Sequence, residues 1–180
     1  MDVTLIAAII ALTGTLIVLT AQQFLEFRRQ DQSAREARNL RLREDRRLLY
    51  RDVVELSYSI INTFNRAANW SFVSEIAAER NVQLADEVQE KAEAEAGRLT
   101  SEINSRIDIL QARTREVQIL GGGEPSRAAL AIHSSILQLW NAYPTARGRP
   151  VTRRDVGDLL DTAELKIRDF VAEIEPQIRL

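Results

Sequence analysis

The chain has 180 residues, 24 of them Lys or Arg and 26 Asp or Glu, with a formal net charge of -2, a single histidine and no cysteine. That composition excludes disulfide staples, cysteine redox chemistry and thiolate metal sites, and one imidazole rules out two-histidine metal centres and the paired Glu-x-x-His motifs of di-iron bundles.

The first element is the apolar run Val3 to Leu25, which carries no charged residue between Asp2 and Glu26. At about 1.5 Å per residue it would reach roughly 34 Å as a helix, enough to cross a hydrocarbon core of about 30 Å. The sequence therefore predicts a single-pass transmembrane anchor over residues 1–27. Arg28, Arg29, Arg35, Arg38 and Arg41 follow within the window over which basic residues mark the inner face. They predict an inner-membrane protein with its N-terminus outside, its C-terminal domain cytoplasmic, and these five arginines against lipid headgroups. A cleaved signal is disfavoured, since a basic n-region, a short apolar core and a small-x-small cleavage site are all missing. Ala7, Ala11, Gly14 and Thr15 lie at or near small-x-x-x-small spacing and predict helix association within the bilayer.

Residues 28–48 read as an Arg-rich juxtamembrane helix, and residues 49–180 as a helical bundle of ordinary single-domain size. Charge is unevenly spread. Residues 26–51 hold nine Arg against five acids, and residues 52–125 hold seven bases against thirteen acids. Leu42, Leu49, Val53, Leu56, Ile60, Phe64 and Ala67 recur at steps of three, four or seven, the mark of one apolar helix face. Neither Pro nor Gly interrupts the chain from Thr15 to Ala96. A first long helix is thus predicted to run from the span into the body, ending between Asn69 and Asn81.

A second long helix carries Val88, Ala92, Ala96 or Leu99, Ile103, Ile107, Leu110, Thr114 and Val117, and stops at Gly121-Gly122-Gly123. Pro125 suits the start of the next helix. The glycines lack the Lys-Ser or Lys-Thr pair and the preceding strand of a phosphate-binding loop. A third helix bears Leu130, Ile136, Leu137, Leu139, Trp140 and Tyr143, with Pro144 as its stop. After a basic connector, Thr152 to Asp155 has the pattern of a capping box before the stripe Val156, Leu159, Leu160, Ala163, Ile167, Phe170, Val171 and Ile174, with Pro176 expected at the end. The fold class expected is all-α: an N-terminal transmembrane helix continuing into an antiparallel bundle of about four helices, the first and second long.

The string Arg43-Glu44-Asp45-Arg46-Arg47-Leu48-Leu49-Tyr50-Arg51-Asp52-Val53, placed shortly after an apolar N-terminal run, resembles the juxtamembrane segment of uncharacterised actinobacterial and actinophage single-pass membrane proteins with a helical cytoplasmic domain. The resemblance covers about the first 65 residues and implies topology and a helical fold, with no activity or functional residue to carry over.

Residues that carry chemistry are sparse. His133 lies beside Ser134 and Ser135, but neighbours one or two apart do not face each other on a helix, so it reads as a surface or hydrogen-bonded core histidine. Glu87, Glu90, Glu93 and Glu95 surround Lys91 with i,i+4 pairs that suit a solvated face. Phe64, Trp70 and Phe72, with Trp140 and Tyr143, read as core or end-capping aromatics. No catalytic residue, metal ligand or cofactor is expected, and no nucleic acid, because the Arg-rich stretch is interleaved with acids and nearly free of aromatics after Phe27. The function expected is a membrane-anchored, non-enzymatic interaction module at the inner face of a bacterial membrane, such as a phage exclusion, defence or scaffold factor. Its expected partners are the lipid bilayer, further copies of itself as a homo-oligomer, or a cytoplasmic or membrane protein. The alternative is an oligomeric channel or pore gated by the cytoplasmic helices.

Overall fold

A computed structural model describes residues 3–73, 77, 80, 85–143 and 153–178, with only the backbone described at 3–21, 153, 177 and 178. Four α-helices account for nearly all of them: α1 (Val3–Ser71, 69 residues), α2 (Asp86–Leu120, 35 residues), α3 (Gly123–Ala142, 20 residues) and α4 (Arg153–Ile178, 26 residues). No strand occurs among the described residues. The chain divides into two compact units, Met1–Glu44 and Asp45–Leu180.

The expectation of a single-pass inner-membrane protein is corrected: among the described residues no helix is long and apolar enough to cross a membrane. The side chains of residues 3–21, including Ala7, Ala11, Gly14 and Thr15, lie outside the described residues, where the backbone is helical.

The second unit is an up-down-up-down bundle. Arg66 on α1 meets Glu95 on α2, Ser59 and Thr63 meet Arg106, and Asp52 meets Arg113. Partner numbers rise on α2 as they fall on α1, so the two helices run antiparallel. Phe64 packs edge-on against Trp140 and Tyr143 near the end of α3, with ring centroids 6.1 and 5.8 Å apart. Tyr50 packs edge-on against Phe170 near the end of α4, at 5.8 Å. α3 therefore runs with α1, and α4 runs against it. α3 packs on both α2 and α4.

The core follows the predicted stripes at their centres. Val53, Ile60, Phe64 and Ala67 are buried on α1, Ala92 to Val117 on α2, and Val156, Leu160, Ala163, Ile167, Phe170 and Ile174 on α4. Burying each of the larger side chains is worth about 1.5–3 kcal/mol, which is what holds four helices of modest intrinsic stability together. The stripes fail at their edges: Leu42, Val88, Leu130 and Val171 are exposed, while Tyr50, Ser57, Ile61, Ala129, Ile132 and Ser135 are buried. Buried hydroxyls on helix interiors are satisfied locally, Ser57 Oγ donating to the Val53 carbonyl at 2.6 Å and Ser135 Oγ to the Ala131 carbonyl at 2.8 Å.

Helix ends also follow their chemistry. α2 closes on Gly121, whose N–H donates to the Val117 carbonyl at 2.7 Å, and Ser126 Oγ donates to the same carbonyl from the first turns of α3. Gly122 takes a left-handed φ of 61°, which a side chain would resist. Tyr143 ends α3 in an extended conformation (φ -66°, ψ 132°), the geometry imposed on a residue that precedes proline. Pro144 and Thr152 lie outside the described residues. Pro176 does not end α4, which runs to Ile178. So close to a terminus, proline's missing N–H removes only one hydrogen bond from the last turn.

Gly121 has no room for a side chain: a Cβ there would lie 2.7 Å from the Val117 carbonyl oxygen and 2.9 Å from the Tyr50 hydroxyl, whereas at Gly97, in mid-α2, nothing lies within 4 Å. Gly121→Ala is expected to destabilise the protein by about 1–3 kcal/mol through that overpacking. Gly97→Ala is expected to stabilise it by about 0.5–1 kcal/mol by restricting the unfolded chain. Urea denaturation of both variants measures the opposite signs.

Candidate functional site

Three features of the described surface combine polar and apolar groups in ways a partner could use: the seam between α1 and α2, the groove beside it, and the N-terminal part of α1.

The seam is a ladder of ion pairs. Arg106 on α2 donates to the Ser59 carbonyl at 3.3 Å, to Thr63 Oγ1 at 3.0 Å and to the Ser59 hydroxyl, and its other nitrogen meets Glu102 at 2.6 Å. Glu102 also accepts from Arg98 at 3.2 Å, and Arg98 binds Glu95 at 2.6 Å, with Arg66 of α1 reaching the same carboxylate at 3.8 Å. Glu95 is held below the usual carboxylate range, first by its hydrogen bond from Arg98. Most rungs are solvated, where an isolated ion pair is worth about 0–1 kcal/mol. Arg106 differs because it is only 31% exposed and bridges two helices through several acceptors.

The groove lies toward the N-terminal end of this seam. It is an open hollow of about 420 Å³ lined by Asp52, Glu55, Leu56 and Ser59 on α1 and by Ile109 and Arg113 on α2. Leu56 and Ile109 give it an apolar floor, and Ile109 is 50% exposed. Arg113 is committed to Glu116 at 2.7 Å and to Asp52 at 3.7 Å, and these carboxylates raise its pKa. Glu55 in turn pairs with Arg51 at 3.5 Å on its own helix, so the acids on the rim, Asp52 and Glu55, each face an arginine. The groove's polar residues are spaced as one face of α1.

Residues 22–45 of α1 are exposed at every position. Phe27 is 69% exposed and Leu40 63%, with Phe24 and Leu25 close behind. Arg28 stacks over the Phe24 ring at 5.0 Å and Arg35 pairs with Asp31 at 2.7 Å, both within the same helix. Arg29, Arg38 and Arg41 are exposed as well. The placement of these five arginines against lipid headgroups depends on the single-pass topology corrected above. A small open hollow on this segment is lined by Glu36, Asn39, Leu40 and Arg43, one face of the helix.

The residues singled out for chemistry are dispersed. His133 is half-buried on α3, and burial first, then the charge of Arg115, pushes its pKa below the ordinary imidazole value. Ser135 spends its hydroxyl on a backbone carbonyl, and Ser134 is exposed. Among the described residues no group of three or more His, Asp or Glu side chains is arranged to hold a metal ion. Phe64, Phe72 and Tyr143 are buried, and Tyr143 shares a 2.6 Å hydrogen bond with Ser71 that ties α1 to α3. The groove and Arg106 escape a reading of the sequence alone, since each needs α1 and α2 in register. A faint signal exists in Arg106 standing between Ile103 and Ile107.

No protein family matches this chain, and no curated protein or solved structure is significantly similar to it.

Arg106→Ala is expected to cost about 1–2 kcal/mol, because Ser59, Thr63 and Glu102 lose a shared donor in a half-buried seam. Arg127→Ala, which removes an exposed pair with Glu124, should change stability by less than about 0.5 kcal/mol. Chemical denaturation separates the two.

His133 supplies a pH signature. Its folded pKa is depressed, so below the unfolded value of about 6.5 only the unfolded chain takes up the proton, and stability falls until the folded pKa is also passed. His133→Gln is expected to flatten the fall in stability as pH drops below about 6.5, read from urea denaturation across that range, and to leave the slope unchanged above about pH 7.

Proposed function

We propose that this chain is a non-enzymatic helical interaction module that works by contact with another protein chain. The observation that supports this is the bare segment of α1. Residues 22–45 stay exposed along more than six turns while displaying Phe24, Leu25, Phe27, Leu40 and Leu42 to solvent. A helix of that length with no packed face is of marginal stability by itself, and clustered exposed aromatics and leucines mark protein contact surfaces. Arginine beside aromatic residues is also the composition enriched where binding energy concentrates.

The bundle supplies rigidity for such a contact. Its ring contacts, its buried aliphatic stripes and the Arg106 bridge fix α1 against α2 and α3 from Asp52 to Ser71.

A photo-crosslinking residue placed at Leu40 in the full chain and activated in cells is expected to yield protein adducts of discrete mass. The same residue at Asp161, on the exposed face of α4, is expected to yield none. An absence of adducts at position 40, or equal yields from both positions, would overturn the reading.

A further inference from the structure

We draw no further inference here: the strongest candidate, the open groove between α1 and α2 floored by Leu56 and Ile109, has both of its rim acids, Asp52 and Glu55, already paired with Arg113 and Arg51, and nothing in the structure shows what covers it.

Discussion

The position at which α1 stops being a core helix governs the rest of the molecule. Within the bundle its buried face steps through Ala67, Phe64, Ile60, Val53 and Leu49. Continued toward the N-terminus at the same spacing, that face meets Arg46, Leu42, Arg38, Arg35, Asp31 and Arg28. A guanidinium or carboxylate on that stripe would have to be desolvated to be covered, at a cost of several kcal/mol per ion that no apolar contact there offsets. The core therefore ends within a turn of Leu49. The boundary between the two compact units, at Glu44 and Asp45, coincides with this change of chemistry. Arg46 marks the transition: it is half-buried, and its Nε is out of water without a hydrogen-bond partner.

Below that boundary, two kinds of contact divide the labour of specifying the bundle. Aliphatic stripes supply most of the free energy, but leucine and isoleucine faces tolerate sliding by a turn. The polar contacts do not. Arg106 finds Ser59 and Thr63 only in one register of α2 on α1, and the Ser71 to Tyr143 hydrogen bond fixes α3 against the same helix. Gly121 adds a steric condition, since the Tyr50 hydroxyl occupies the space in which any other residue would place its Cβ. Registry thus comes from a few directional or excluded-volume contacts laid over a permissive apolar core.

How much of this the sequence discloses depends on whether the cause is local. Helix content, the stop at the glycine triplet and the centres of the four stripes follow from periodicity and turn chemistry within a window of a few residues. The edges of the stripes do not. Val88, Leu130 and Val171 fit the spacing yet stand in solvent, and Ala129, Ile132 and Ser135 are buried though the stripe did not include them, because the width of a covered face is set by which neighbours lie on either side. Tyr50 and Gly121 are 71 positions apart, so the need for glycine at 121 is invisible without the fold. The membrane expectation shows the converse limit: hydropathy of residues 3–25 argues for a span from composition alone, and among the described residues no helix meets that requirement.

The charge pattern that set aside nucleic acid and suggested a lipid surface acquires a different meaning once α1 and α2 are paired. A run of arginine followed by a surplus of acids, read linearly, is a dipolar sequence. Folded, the acids at 52, 55, 95, 102 and 116 fall beside a single seam, and the arginines of that seam are largely consumed by them. In the Arg-rich segment, Arg28 and Arg35 use neighbours one turn away on their own helix. Such local pairs are worth only a few tenths of a kcal/mol and exchange readily for a better partner. Any surface that covers this helix has to replace the water around those charges as well as bury Phe27 and Leu40.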